Sequence, residues 1–338
     1  MKKYLLPQTG NFYKANLHCH TNVSDGALLP LEVKEKYKEN GYSIVAFTDH
    51  DIIIPHLELN DDNFLALNGC ELKIKEIGDC AGRFLKECHL CMIAIEPDNF
   101  FQPWFYPTRF VERNIEEYEK RAEFKGYVDT KDTKYSPQTI NKIIKTFKDN
   151  GFFVTYNHPT WSLENYTQYS YYQGMDAMEI VNNSCCVLGQ PEYNDRVYDE
   201  MLRLGKKIYC VAADDNHNRC ADGDDSLGAY VMIKADNLEY RKITDALIKG
   251  NFYASTGPEI KELYYEESEI FVNCSDAEYI SFTTEGRRAR RISASDGKPL
   301  NNASFKILPD DGYVKITITD KNGKKAYTNA YFVDDLNA

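Results

Sequence analysis

Short apolar runs alternate with amphipathic segments along the chain as far as about residue 255. The apolar runs have the length and composition of buried strands. Strands are predicted at Tyr13 to Leu17, Ser43 to Thr48, Phe64 to Leu67, His89 to Ile95, Phe152 to Tyr156, Ala177 to Val181 and Lys207 to Ala212. Repeated strand and helix units specify an α/β fold with a parallel sheet, and this many strands favour a closed or nearly closed barrel.

The helices between these strands have clear start and stop signals. One begins with Pro30 in its first turn and ends at Gly41. Another has Ser136 as its N-cap and Pro137 as its first residue, and ends at Gly151. These signals follow from the fixed φ of proline and the conformational freedom of glycine. Two later helices are predicted to end near residues 205 and 250.

The pattern changes after Gly257. Alternating runs at Tyr313 to Thr319 and Ala326 to Val333, joined by a turn that ends in Gly323, predict a β-hairpin. We expect residues 258–338 to form a small antiparallel β domain after a barrel domain of residues 1–257. An aromatic-rich segment at about 97–135 is predicted to be an insertion in the barrel.

The composition excludes several classes of protein. Hydrophobic residues make up 43% of the chain and charged residues 27%, which is typical of a globular protein rather than a disordered or fibrous one. The formal charge of −12 disfavours an extended nucleic-acid partner. A small phosphorylated ligand stays open, because a bound dication can reverse the local field.

Targeting signals and cysteine chemistry add little to this picture. Pro7 interrupts the only apolar stretch near the N-terminus, and no segment is long enough to cross a bilayer, so we expect a cytoplasmic protein without membrane contact. The ten cysteines are scattered, which indicates reduced thiols. Cys88 and Cys91 form a CxxC, but no second CxxC completes a thiolate zinc site.

The seven histidines carry most of the chemical information. His18 and His20 follow the first strand, and alternate residues of an extended chain point the same way, so both rings can reach one metal ion. A polar residue at the end of one strand often only caps or solvates it. Four strand ends that each supply histidine, or aspartate and histidine, are better explained by one cleft. The candidate donors are His18, His20, Asp25, His50, Glu71, His89, His158, Asp215 and His217.

The ligand types narrow the choice of metal and reaction. Histidine and carboxylate donors without clustered cysteine suit manganese, iron or zinc. There are too many candidate donors for one ion, so two or three divalent ions that share a bridging carboxylate are expected. Such centres acidify bound water and hydrolyse substrates without a protein nucleophile.

With four ordered motifs, the sequence resembles the PHP (polymerase and histidinol phosphatase) superfamily of metallohydrolases over residues 14–257. The motifs are HCHTNVSDG from His18, TDHD from Thr48, NHP from Asn157 and DDNH from Asp214. The run from Ala246 to Pro258 further resembles the carbaryl-hydrolase-like branch, in which a β-rich tail follows the barrel. The resemblance implies a distorted (βα)7 TIM-like barrel with a trinuclear metal centre.

The resemblance also implies how the donors are shared. One ion would be held by His18, His20 and Asp215, and Glu71 would bridge it to a second ion held by His89 and His158. A third ion would be held by Asp25, His50 and His217. A water activated by the metals, with Asp215 and Glu71, would carry the catalysis. Asp214, where the family usually has a small residue, would add negative charge beside the cluster.

Further assignments concern residues outside the four motifs. Arg109, within the insertion, and Arg219, just after the last motif, are candidate phosphate-binding residues, since arginine contacts phosphate through two N–H groups. His56 belongs to no motif and is interpreted as a loop residue. The aromatic insertion is either a self-packed surface excursion or a stacking platform for a base or sugar.

The leading hypothesis is a metal-dependent phosphoesterase that acts on a small phosphorylated compound, with nucleotides among the candidates. The alternative is an amide, carbamate or ester hydrolase that uses the same centre. A binding or regulatory module that has lost catalysis is disfavoured, because none of the four motifs lacks a ligand.

Overall fold

The computed structural model describes residues 2–76, 85–102, 134–219, 224–295 and 298–337. In these residues the chain forms a mixed α/β structure with one sheet of fourteen strands and one of four. Most of the predicted insertion, including Arg109, lies outside the described residues. Within the described residues, no helix is both long and apolar enough to cross a membrane.

The described residues of the first part of the chain form ten strands, of which seven correspond to predicted strands. They are β1 (Lys3–Tyr4), β2 (Asn11–Asn16), β3 (Ile44–Phe47), β4 (Leu65–Lys75), β5 (Glu87–Ala94), β6 (Phe152–Tyr156), β7 (Ala177–Asn182), β8 (Tyr209–Ala213), β9 (Tyr230–Ala235) and β10 (Phe252–Ser255). All of these strands except β1 lie side by side in the large sheet, in the order β10-β9-β2-β3-β4-β5-β6-β7-β8. The seven predicted strands are therefore neighbours in sequence order, from β2 to β8.

The prediction of an all-parallel sheet is wrong at β5. This strand pairs antiparallel with both β4 and β6, whereas β2, β3 and β4 are parallel to one another, as are β6, β7 and β8. The physical reason is the short connection: β4 ends at Lys75 and β5 begins at Glu87. A parallel crossover needs a dozen or more residues, usually with a helix, and this connection is shorter.

The α/β class is confirmed, but a closed barrel is not shown. Among the described residues the strand order stops at β8, which has no ladder with β2. Beyond the ends of these two strands, Cys19 and Asn216 form an isolated parallel bridge. Asp215 N also donates to His18 O at 2.9 Å, and His20 N donates to Asn216 O at 3.1 Å. These bonds bring the segments that follow β2 and β8 together, and both segments carry candidate ligands.

Helices flank the strands and end where the sequence predicts. They are α1 (Pro30–Glu39), α2 (Pro137–Asp149), α3 (Tyr166–Tyr169), α4 (Asn183–Val187), α5 (Asp195–Arg203), α6 (Tyr240–Ile248) and α7 (Val333–Asn337), with 3-10 turns at Leu57–Leu59 and Pro309–Asp311. At the start of α2 the Ser136 side chain accepts a hydrogen bond from Thr139 N, and Pro137 follows. The buried face of α2 consists of residues at helical spacing, from Ile140 to Phe147.

The C-terminal part is rich in β-strands, as predicted. Its strands are β11 (Ile260–Glu266), β12 (Glu269–Ala277), β13 (Tyr279–Thr284), β14 (Ala289–Ser293), β15 (Leu300–Lys306), β16 (Tyr313–Thr319), β17 (Lys325–Tyr327) and β18 (Tyr331–Phe332). The predicted hairpin is present, because β16 and β17 pair antiparallel. Strand β17 also pairs with β10, so the large sheet continues from one side of Gly257 to the other. The smaller sheet has the order β1-β11-β12-β15.

Candidate metal centre

His18 and His20 follow β2 and lie side by side in the protein interior. Their side chains are 1% and 0% exposed, and their Nε2 atoms are 3.1 Å apart. Asp215, which follows β8, places Oδ1 3.0 Å from both of these nitrogens. Two imidazoles and a carboxylate that converge at such distances form the start of a metal site.

Glu71 lies at the centre of the cluster. Its Oε1 is 3.0 Å from His89 Nδ1, 3.1 Å from His158 Nε2 and 3.2 Å from His18 Nε2. Its Oε2 is 3.1 Å from His50 Nδ1 and 3.4 Å from His20 Nε2. Glu71 is on β4 and 1% exposed. A carboxylate whose two oxygens face different histidines has the arrangement of a bridging ligand.

Asp25 joins the histidines on the open side of the cluster. Its Oδ1 lies 3.4 Å from His217 Nε2 and 3.6 Å from His20 Nδ1, and its Oδ2 lies 3.7 Å from His50 Nε2. The rings of His20 and His217 stack with their centroids 4.3 Å apart. The structure thus brings all nine predicted donors into one cluster.

The donors form overlapping groups whose ligand atoms lie within 4.8 Å of one another. These groups are His18, His20, Glu71 and Asp215; His20, Asp25, His50 and His217; His50, Glu71 and His89; and His18, His158 and Glu179. The overlap at Glu71 and His20 is what neighbouring ions with shared ligands require. The first two groups contain the donor sets that the family resemblance implies for the first and third ions.

Spacing and unsatisfied atoms both fit metal ions. Ligands about 2.1 Å from one ion are about 3.0 to 3.4 Å from each other at octahedral or tetrahedral angles. The closest donor pairs have this spacing, with Asp215 Oδ1 3.0 Å from the Nε2 atoms of His18 and His20. Within the described residues, Asp215 Oδ1, His20 Nδ1 and both ring nitrogens of His89 are buried without a hydrogen-bond partner. Such atoms are costly to bury unless a ligand satisfies them.

The buried carboxylates and imidazoles of the cluster shift each other's pKa values. Burial would raise the pKa of Glu71, but the surrounding imidazoles, His89 and His18 first, hold it well below its usual range. Burial would lower the pKa values of His18 and His20, yet the adjacent carboxylates raise both well above 6.5. Bound cations would take over this role from the protons.

Backbone strain is concentrated around the same residues. Asp51, His158 and Asp215 are non-glycine residues with positive φ, at 60°, 22° and 53°. Such conformations persist only where the surrounding structure holds them. Asp51 N donates to Glu71 O at 2.8 Å, which fixes the turn that carries His50 against β4.

Several residues that support the ligands were missed by the sequence reasoning. Glu179 Oε1 lies 2.6 Å from His18 Nδ1, and its Oε2 accepts hydrogen bonds from His158 N and Asn182 Nδ2, both at 3.0 Å. Asn157 Nδ2 donates to Glu71 Oε1 at 2.9 Å. The sequence signal that could have found Glu179 is a charged residue inside the apolar run of β7.

Two more carboxylates hold the backbone on which ligands lie. Asp49 accepts hydrogen bonds from Thr21 N at 2.8 Å and from Ser24 N at 3.1 Å, in the loop that carries Asp25. Asp225 accepts a hydrogen bond from His217 N at 2.8 Å. Both carboxylates therefore position backbone that carries candidate ligands, although neither is one of the nine predicted donors.

One residue has another role than the one predicted. Asp214 is turned away from the ligands: its carboxylate accepts hydrogen bonds from Tyr37 Oη and from the backbone N–H groups of residues 227–229. His56 lies in a loop, as predicted, just before the 3-10 helix at Leu57–Leu59. This loop is buried: His56 is 1% exposed and its ring lies 4.8 Å from that of Phe47.

A cleft of about 390 Å³ opens over the centre. Besides candidate ligands, its lining includes Lys73, Trp161, Cys185, Leu188 and Arg219. Arg219 was predicted to bind phosphate, and it lies on the cleft with Nη2 3.2 Å from Asp25 Oδ2. Lys73 was not predicted, although it is two residues beyond Glu71 on β4 and therefore on the same face of the strand.

Comparison with known proteins gives structural neighbours only. No family model matches the sequence, and no curated protein gives a significant match. A two-domain protein of Bacteroides vulgatus that contains a predicted PHP-like metal-dependent phosphoesterase is 15% identical, with 97% of this chain and 98% of that chain covered and a TM-score of 0.44.

Two further neighbours cover less of the chain. A protein of Bifidobacterium adolescentis with an inferred metal-dependent phosphoesterase activity is 17% identical, with 65% of this chain and 92% of that chain covered and a TM-score of 0.37. An amidohydrolase of Chromobacterium violaceum, solved with sulfate and without metal, is 14% identical, with 70% and 96% covered and a TM-score of 0.41. These three structural neighbours are therefore two proteins described as metal-dependent phosphoesterases, one of them PHP-like, and an amidohydrolase.

Proposed function

We propose that this protein is a metal-dependent hydrolase with two or three divalent ions, of manganese, iron or zinc, at the floor of the cleft. The observation that carries the proposal is the position of Glu71, whose two carboxylate oxygens lie within 3.4 Å of ring nitrogens of five histidines. In the absence of cations, such a cluster is stable only if several imidazoles are protonated. Divalent ions satisfy the same carboxylates and leave the histidines neutral.

The finer proposal is a phosphoesterase that acts on a small phosphorylated substrate, with nucleotides among the candidates. Two cationic side chains, Lys73 and Arg219, line the same cleft as the metal donors. Guanidinium and ammonium groups bind phosphate oxygens strongly where water is partly excluded. Arg109 stays a proposed phosphate ligand from the sequence alone, because it lies outside the described residues.

The chain's own residues would orient the reactants. When bound, divalent ions supply Lewis acidity and lower the pKa of water towards neutrality. Burial would raise the pKa of Asp215, but His18 and His20 hold it below the usual range, so this carboxylate stays ionised at neutral pH and can serve as an anionic metal ligand. Glu71, which is on β4, would keep the surrounding imidazole rings in fixed positions relative to one another. Lys73 and Arg219 would fix the non-reacting oxygens of the substrate.

An amide, carbamate or ester hydrolase is the second candidate function. It is favoured by the pairing of the cleft cations: Arg219 lies 3.2 Å from Asp25 Oδ2, and Lys73 Nζ lies 3.3 Å from Glu87 Oε2. Each pair reduces the positive charge that is available to a phosphate group. The same donor cluster could serve either reaction, since neither needs a protein nucleophile.

The test is a substrate panel with protein expressed and assayed with added manganese. The panel contains p-nitrophenyl phosphate, bis(p-nitrophenyl) phosphate and a p-nitrophenyl carbamate, and metal content is measured by elemental analysis. We expect roughly two or more ions per chain, phosphate hydrolysis, and loss of hydrolysis on chelation. Hydrolysis of the carbamate alone would overturn the phosphoesterase proposal, and less than about one ion per chain would overturn the metal centre itself.

A further inference from the structure

Uncharged side chains make up part of the lining of the cleft. Trp161, Leu188 and Cys185 line it, opposite in character to the histidines and carboxylates of the floor. The indole of Trp161 stands edge-on to His89 and His158, with ring centroids 5.4 and 5.1 Å away. An aromatic surface therefore adjoins the imidazoles at which the substrate would react.

The position of Trp161 is fixed by a buried carboxylate. Its backbone N–H donates to Glu192 Oε2 at 3.0 Å, and Thr160 N donates to Glu192 Oε1 at 3.1 Å. Glu192 is 0% exposed and also accepts a hydrogen bond from Asn194 Nδ2 at 2.7 Å. These bonds fix the backbone that carries the indole, and the rings of His89 and His158 pack against the indole itself, so binding against it should lose little conformational entropy.

Leu188, directly after α4, also lines the cleft. It is 56% exposed, and its backbone N–H is held by Ser184 O at 3.0 Å. A single exposed leucine is common on protein surfaces. Here it lies in the same cleft as a partly buried tryptophan that adjoins the candidate ligands. Small-molecule sites typically combine such apolar walls with a few polar groups that fix orientation.

We infer that the substrate carries a planar apolar group, aryl or arylalkyl, on the side of the scissile bond that departs. This inference rests on the proposed hydrolase function and narrows its substrate class. The departing group packs against Trp161 and Leu188, while the reacting group faces Glu71 and Asp215. In the hydrolysis, water oxygen bonds to the reacting centre, the bond to the departing oxygen breaks, and that oxygen takes up the proton released by the water and leaves as a phenol or alcohol. Trp161 and Leu188 are thus specificity-determining residues.

The experiment separates binding from turnover. Phenethylphosphonate and ethylphosphonate share a non-hydrolysable head group and differ only in the phenyl ring, and their Kd values are measured by calorimetry on the manganese-loaded protein. Phenethyl and ethyl phosphate serve for kcat/KM, because both release simple alcohols of similar acidity. We expect a preference for the phenyl-bearing compound of roughly tenfold or more in both measurements, as for burial of an aromatic ring.

The variants assign the preference to the named side chains. Trp161→Ala should abolish the preference, Trp161→Phe should keep most of it, and Leu188→Ala should reduce it. Leu163→Ala is the matched control, since Leu163 is also exposed, at 48%, but does not line the cleft. This control should bind both phosphonates like the unchanged protein.

The outcomes distinguish this inference from the proposed function. Equal Kd values for the two phosphonates, no binding of either, or a preference that survives in Trp161→Ala would each overturn the inference. A clear phosphonate preference without hydrolysis of either phosphate would leave the inference standing and overturn the phosphoesterase proposal. In that case phenethyl and ethyl acetate test the same preference in ester hydrolysis.

Discussion

The Nε2 atoms of His18 and His20 face each other at 3.1 Å in a site closed to solvent. The other nitrogen of His18, Nδ1, lies 2.6 Å from Glu179 Oε1, and a carboxylate there requires that Nδ1 carries the proton. The Nε2 lone pair of a neutral His18 therefore points at the second ring. Two such lone pairs repel unless a proton or a cation lies between them. Asp215 Oδ1, 3.0 Å from both nitrogens, favours a positive charge at this point, either a proton or a metal ion.

Asp215→Asn should remove metal and activity together. The substitution keeps the shape of the side chain but replaces an anionic oxygen with a neutral amide, which binds divalent ions more weakly. We expect turnover to fall by at least about 100-fold, because even residues that only support a ligand commonly account for 10- to 100-fold effects. Metal content and kcat are the measurements. Asp149→Asn, at an exposed position on α2, is the matched control.

The double variant tests whether His20 and Asp215 serve one ion. His20→Ala alone should be as severe as Asp215→Asn, and the combination should be little worse than the worse single variant. With saturating manganese, Tm should fall further in each single variant than it does with chelator, since the additional lost stability comes from metal binding to the native state. Losses that multiply in the double variant would place the two residues at separate sites.

Glu179→Gln should weaken metal binding although Glu179 lies behind His18. The amide oxygen can still accept hydrogen bonds from His158 N and Asn182 Nδ2, but the amide NH2 group would then face His18 Nδ1 and cannot accept a hydrogen bond from it. We expect the Kd for manganese or zinc to rise by about 10- to 100-fold, as measured by competition with a chromophoric chelator. Glu39→Gln, at the exposed end of α1, is the control. An unchanged metal Kd would show that Glu179 is not needed to orient His18.

The sequence predicted that the nine candidate ligands would lie together because their positions depend on local rules. Strands β2 and β8 end where the apolar runs end, and side chains placed at these ends can share a cleft. Glu179 was missed because its role depends on which strands are neighbours, which the local pattern does not record. Strand β5 was assigned the wrong direction for a similar reason, since an apolar run looks the same in either direction.

The metal-free protein should lose stability as pH rises from about 6.5 to about 9. Glu71 first among the carboxylates raises the pKa of His89 to about 9 against the opposing effect of burial, and the pKa values of His18 and His20 are raised as well. A raised histidine pKa means that the native state binds more protons than the unfolded chain, so this stability is present below 6.5 and is lost above it.

Thermal unfolding at several pH values, with chelator and with manganese, measures this effect. Burial raises the pKa of Asp51 to about 7, which adds a loss of the same sign. Burial, and then His20, lower the pKa of His50 to about 3. The protonation of His50 therefore changes stability only below pH 6.5, outside the range from about 6.5 to about 9. With chelator we expect Tm to fall by at least a few degrees, and with manganese this fall should disappear. A Tm that rises over this window with chelator would contradict the assigned protonation of the cluster.

Asn329→Ala should destabilise the protein far from the metal centre. Asn329 is 2% exposed and joins the C-terminal part to the strands that carry the site. Its Oδ1 accepts a hydrogen bond from Cys210 N, and its Nδ2 donates to the carbonyl groups of Gly250 and Phe252, all at 3.1 Å. Alanine would remove these three buried hydrogen bonds, at a cost of about 2 to 4 kcal/mol in the free energy of unfolding.

Denaturant unfolding measures this loss, with Asn302→Ala on the exposed strand β15 as the control. Asn302 Nδ2 bonds only to the exposed Asn301 side chain among the described residues, so its removal should change stability by less than about 0.5 kcal/mol. Metal content per folded chain should stay unchanged in Asn329→Ala, because none of the candidate ligands contacts this side chain within the described residues. An unfolding midpoint equal to that of Asn302→Ala would show that strand pairing between β10 and β17 already holds the two parts together without the asparagine.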